Sequence, residues 1–511
     1  MSVVNQDTTP TSTSASTVRA LVVKGASALG VVSIVERGCS FAANLIAARV
    51  GGAQVFGAYS LALTTANNVA TYAGAGIGTT ANRFAGRYRP GSVGYSRLVR
   101  SLALVSLVSA GLAIALLLLG ASPLARFLLR RPDLTPLLQL AALSAGIMIL
   151  LECVRGFLIG ERLYRPLMVL ALCTGVIVIA LPIAARAGAT AMLACQAAVT
   201  AGAVVICLAF TGRKPSEVVS IDRSEPMEPP SPGAIWRFVM VQFAGVIGLN
   251  AAGWWVAALV ARADITLTQA GLLAVASQLR NLTSLGPNML TQSSYSLFAD
   301  DERCAPALVY CTYVAALLSL VVGGTIAAGA DWMLPLALGP SFHAGGLAVA
   351  LAMATAIVHM TSASVAARLT MVSLKQTGTI NGVWTVLTIV AATWLVPQGG
   401  AAAAMGVYLG VHCLAACLVF AALQRAHAIP AGISGVLFST IALALVLASL
   451  AIARDQMPAA GPFISSLMLG VTAAGTGALM MHGLAHGLVP RRIGFENVRE
   501  LFGRSVSRRT A

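Results

Sequence analysis

The chain has 511 residues, 58% of them hydrophobic and only 10% charged, with a mean hydropathy of +0.84. That composition excludes a soluble domain and calls for many membrane spans. The 33 basic residues against 17 acidic give a net charge of +16; here they mark loops held on one side of a membrane, and no nucleic-acid partner is expected.

Residues 1–24 are polar and Ser/Thr-rich, which predicts a disordered cytoplasmic tail rather than a signal peptide. Spans follow near 25–49, 54–81, 98–120, 136–159, 166–187 and 189–211. Together they make an N-terminal lobe at 25–211. Residues 212–236, rich in Pro, Glu and Ser, read as a cytoplasmic linker. Spans near 237–260, 270–297, 306–330, 346–371, 378–396 and 401–422 make a C-terminal lobe at 237–424. Two extra spans lie within 425–487, and a basic tail occupies 488–511. The predicted fold is an all-α membrane protein of about 14 helices, two six-helix lobes and two additional helices; 12 spans is the alternative. Most Lys and Arg outside the spans fall on the side of the termini, as Arg83, Arg87, Arg89 and Arg97 illustrate. Both termini are therefore expected in the cytoplasm.

The halves repeat without a gap at an offset of 213 positions. Ala48-Arg49 meets Ala261-Arg262, Thr64 meets Ser277, Asn68 meets Asn281, Thr71 meets Ser284 and Arg155 meets Arg368. The lobes are thus parallel repeats, each starting on the same side. Thr64, Asn68 and Thr71 lie on one helix face, as do Ser277, Asn281 and Ser284, with Asn288 and Thr291 extending the second stripe. Polar stripes in apolar spans either glue helices together or line a wet central cavity.

Charges inside spans carry the chemistry. Glu36 and Arg37 sit mid-span, on or beside a stripe of Ser33, Ser40 and Asn44, and Arg280 sits at similar depth in span 8. They either lock helices as an ion pair or present cationic groups to an anionic ligand. Glu152 and Arg155 share a face three residues apart, so an intrahelical pair is expected. Glu36 and Glu152 are the acids well inside spans, and are the candidates if H⁺ or Na⁺ is coupled. Arg155 and Arg368, near cytoplasmic span ends, anchor at headgroups or add to the substrate contacts. His359 and His412 read as isolated packing histidines. Neither a GxxxxGK[ST] motif nor a metal or Ser/His/Asp constellation is found, so no cofactor and no enzyme activity are expected.

The run from Ala48 to Gly86, with Gly51, Gly52, Phe56, Gly57, Tyr59, Gly74, Gly76 and Gly78, resembles the start of Wzx-type polysaccharide-biosynthesis flippases. Pro397, Gly399 and Gly400 resemble that family's entry to span 12, and the resemblance covers about 25–425. It implies two lobes facing a cavity. It also implies flipping of an undecaprenyl-pyrophosphate-linked oligosaccharide across a bacterial inner membrane by alternating access. On that reading Arg37 and Arg280 hold the phosphates, and Asn44, Asn67, Asn68, Asn281 and Asn288 offer amides to sugar hydroxyls. Membrane lipids and a polymerase or export machinery are the implied partners. The rivals are a cation-coupled drug antiporter of the same superfamily and a membrane glycan-assembly enzyme.

Overall fold

The computed structural model describes residues 15–74, 76–85, 92–161, 163–211, 232–294, 298, 301–430 and 432–485. Most of the polar head, residues 212–231 of the linker and the basic tail lie outside the described residues.

Every described element is helical. In the first half these are α1 (Ala15–Gly74), α2 (Ile77–Ala85), α3 (Val93–Pro123), α4 (Thr135–Gly160), α5 (Tyr164–Gly175), α6 (Ile177–Ala185) and α7 (Ala189–Thr211). Then come α8 (Pro232–Ala263), α9 (Thr268–Thr283), α10 (Leu285–Ser293), α11 (Asp301–Leu338), α12 (Gly346–Val372), α13 (Leu374–Arg425), α14 (Ile433–Gln456) and α15 (Gly461–Ala485). Among the described residues, ten helical stretches are long and apolar enough to cross a membrane.

Two of those stretches are double. Gly52 (φ 74°) interrupts α1 and Gly400 (φ 54°) interrupts α13. A side chain is strained at positive φ, so glycine marks both turns. Each therefore supplies two successive passes. Together with α8, apolar over Ile247–Ala263, and the α9–α10 pair, they give the fourteen passes read from the sequence. Three passes are broken where one continuous helix is expected. Span 2 ends at Gly74 because Gly76 takes φ 79° before α2 begins. Span 5 breaks at Val176, and span 8 breaks at Ser284, just ahead of Pro287, which has no N–H to continue a helix.

The repeat is visible in the elements. The Gly52 break corresponds at 213 positions to Ile265, in the turn between α8 and α9, and α4 corresponds to α12 nearly end to end.

By packing, the chain divides into one unit up to Gly271 and another from Leu272. The first unit includes α8, which the repeat places in the second half. Long-range bonds account for this: the Trp254 indole donates to Thr65 Oγ1 at 3.0 Å, and the Tyr72 hydroxyl donates to the Ile247 carbonyl at 3.4 Å. The start of α9 also touches α1 backbone to backbone. A Cβ on Gly57 would lie 2.1 Å from the Leu267 carbonyl oxygen, and one on Gly271 would lie 2.1 Å from that of Ala53. Leu104, Val108, Leu112 and Leu119 of α3 remain exposed on one face, as expected of a surface solvated by lipid. In the second unit α12 is enclosed, with Ala348 to Val358 buried without interruption.

Candidate functional site

In the first unit, α1 presents Asn67, Thr71 and Gly74, at steps of four and three, to a cavity of about 550 Å³. Glu152, Arg155 and Gly156 of α4 form its opposite wall, and Gln196 and Thr200 of α7 close it. α4 sits this near because Gly156-x-x-x-Gly160 lies directly on α2. A Cβ on Gly156 would lie 2.0 Å from the Gly78 carbonyl oxygen, and one on Gly160 2.6 Å from that of Asn82.

The charges of this cavity form a triad. Arg155 Nη1 donates to Glu152 Oε1 at 2.9 Å, and Nη2 donates to Glu36 Oε1. One guanidinium thus serves two carboxylates from different helices. Fully ionised, the triad is net negative, in a wall otherwise built of amides, hydroxyls and apolar groups. Such a site can hold a small cation and can hydrogen-bond sugar hydroxyls.

The second unit has the opposite character. Arg280 lies 12 residues into α9, roughly 18 Å along the helix. Its guanidinium carbon is 5.2 Å from the centroid of the buried Tyr408 ring, a cation–π contact. Among the described residues it forms no ion pair, and Asp331 and Asp455 lie towards the C-terminal ends of α11 and α14. Trp384 is nearly parallel to Tyr408, with ring centroids 6.2 Å apart, and meets His412 edge-on at 5.4 Å. His359 meets His412 at 5.0 Å. The cluster is open: His359 is exposed in the middle of α12, and Ser362, Ala363 and Ala366 towards its C-terminal end are half-buried.

The other site residues read from the sequence fall as follows. Glu36 pairs with Arg155, rather than with Arg37 or Arg280. Arg37 is exposed and has no hydrogen bond or ion pair among the described residues. Asn67 lines the cavity, whereas Asn68, one position round the helix, is half-buried outside its lining. Asn44 is buried with its Oδ1 unbonded, away from that lining. Asn281 is exposed beside Arg280, and Asn288 is half-buried in α10. Arg368 Nη1 donates to the Phe298 carbonyl at 2.6 Å, so it holds the main chain after α10. Arg155 makes the expected pair with Glu152 and a second one with Glu36 that spacing did not signal. One expectation needs correcting. His359 and His412 are not isolated: they touch each other, because α12 and α13 pack side by side. No spacing in the sequence signals that contact.

Residues 22–214 match the family described as polysaccharide biosynthesis protein. No curated protein matches the chain. Among solved structures, the fold is similar to the lipid II flippase MurJ in an inward closed conformation, at 10% identity and a TM-score of 0.63, over 88% of this chain and 97% of that one. It is also similar to an inward-facing multidrug resistance MATE family transporter of the MOP superfamily, at 15% identity and a TM-score of 0.57, over 80% and 98% of the two chains. A MOP superfamily transporter from Pyrococcus furiosus matches at 14% identity and a TM-score of 0.50, over 81% and 96%. The chain is a multi-pass membrane protein with the fold of these solved structures.

Proposed function

We propose that this protein flips an oligosaccharide linked to a polyprenyl diphosphate, undecaprenyl pyrophosphate, across the cytoplasmic membrane for polysaccharide assembly. The observation that carries the reading is Arg280: a guanidinium deep in a span, held against an aromatic ring, in a unit whose described acids lie at helix ends. A cation at that depth costs from about 2.5 kcal/mol upward without compensation. A diphosphate supplies the compensation and matches the planar, forked donors of arginine. The family match over 22–214 and the likeness to a lipid II flippase support the same substrate class. The amides and hydroxyls of the first unit's cavity, Asn67, Thr71 and Gln196, are donors and acceptors of the kind that sugar hydroxyls require. The lipid tail stays in the bilayer, and the glycan is handed on to a polymerase or export machinery. The protein performs no bond chemistry in this scheme.

Deleting the gene in its host should cause a diphosphate-linked oligosaccharide to accumulate on the cytoplasmic leaflet while surface polymer falls. Normal polymer with no accumulation would refute the proposal. A second reading, a cation-coupled drug antiporter, is favoured by the net negative triad Glu36–Arg155–Glu152. It predicts lost resistance to organic cations in the same strain, with polymer unchanged.

A further inference from the structure

His359 of α12 and His412 of α13 meet at mid-helix with ring planes at 84°. His412 Nδ1 lies 2.7 Å from the Tyr408 carbonyl oxygen, so it carries the hydrogen and donates. Nε2 of His412 is then the basic atom of that ring. His359 is exposed, whereas Ala348 to Val358 and Met360 around it are buried.

Few charged or titratable groups face the pair. From α9 comes Arg280, whose guanidinium lies over the Tyr408 ring, itself 6.4 Å from the His412 ring between centroids. From α13 comes Tyr408, itself under the guanidinium, with Trp384 as an uncharged neighbour. α10 carries no titratable group. On α11 and α14, Asp331 and Arg454 are paired with each other at 2.6 Å. They lie beside Gly346, 13 residues from His359 on α12 and so about 20 Å away. No carboxylate of the described residues enters the cluster.

A proton on either imidazole would therefore sit beside an uncompensated arginine in a low-dielectric span, where like charges repel strongly. An anion on Arg280 reverses the sign of that interaction and provides an acceptor for an imidazolium N–H. Proton and anion must then bind together, each raising the other's affinity by the same factor.

We propose that the His359–His412 pair is a proton-binding site that loads when an anionic group occupies Arg280, so that export of the anion carries a proton with it. The proton comes from water at the open end of the cluster, adds to a ring nitrogen, and leaves when the anion leaves. This rests on the anion reading of Arg280 given above.

The test is calorimetric titration of inorganic pyrophosphate into the full-length protein in lipid nanodiscs at pH 7, in two buffers of different ionisation enthalpy. Pyrophosphate itself titrates near this pH, so the comparison is with His359→Gln, His412→Gln and the double variant. The unmodified protein should take up about one proton more per pyrophosphate than the double variant, and its affinity should rise more steeply as pH falls. Equal proton uptake in the unmodified protein and in whichever of these variants still binds would overturn the proposal while leaving the anion site intact. Absence of pyrophosphate binding by the unmodified protein would instead overturn the anion site, and this inference with it.

Discussion

Arg155 and Arg280 are both arginines in membrane helices, yet their surroundings give them opposite tasks. Arg155 has two carboxylates and adds no net positive charge to its cavity; Arg280 has an aromatic ring and, among the described residues, no acid. Removing Arg155 should leave Glu36 and Glu152 facing one cavity without a counter-ion. Their side chains are about a quarter and about half exposed, 25% and 55%, so solvent screens part of the penalty. Arg155→Ala should destabilise the protein by about 1–3 kcal/mol, read as a lower melting temperature in detergent. Adding Glu36→Gln should recover part of that loss, because it removes one of the two charges left unpaired. A melting temperature unchanged by Arg155→Ala would show that the triad contributes nothing to stability. The Glu152–Arg155 contact could be read from spacing, since three residues along a helix share a face. The Glu36 contact, at a sequence separation of 119, could not. Nor could the His359–His412 contact, which depends on how two helices pack. The choice between Asn67 and Asn68 turns on one helical step of 100°, finer than a stripe of mixed polar residues can specify.

Glycine sets the scale of the elements in two separate ways. Gly52 and Gly400 turn the chain, and both turns were legible from the apolar runs on either side. Gly156 and Gly160 instead let α4 lie on α2 at backbone distance, and so bring Glu152 and Arg155 to the cavity wall. The GxxxG spacing is plain in the sequence, but its partner helix is not. Gly156→Leu would place a side chain where the Gly78 carbonyl stands, 2.0 Å from the new Cβ. The backbones must separate, at a cost of at least about 1–3 kcal/mol, since backbone rather than a flexible side chain has to give way. We expect a lower melting temperature together with weakened transport, because the triad would be pulled apart. The same change at Gly202 of α7, where a Cβ meets nothing within 4 Å, should be tolerated. Equal effects at the two positions would contradict this account of the packing.

At the level of the whole molecule, the repeat and the fourteen passes were readable because hydrophobic runs and a gapless offset survive in the sequence. The grouping of α8 with the first unit was not, since it depends on long-range bonds such as Trp254 to Thr65. The repeat has also diverged in charge: the first unit holds a net negative triad, and the second holds Arg280, which lies against an aromatic ring and makes no ion pair among the described residues. The residues paired by the offset show this, as Arg155 binds carboxylates while Arg368 binds a peptide carbonyl. The role of Arg280 therefore decides what the protein carries. The most direct measurement is polymer export together with membrane abundance for Arg280→Ala and Arg280→Lys. If Arg280 holds a diphosphate, Arg280→Ala should block export at unchanged abundance. Arg280→Lys should restore it only in part, because lysine keeps the charge and loses the forked donors. Normal export by Arg280→Ala at normal abundance would contradict the account.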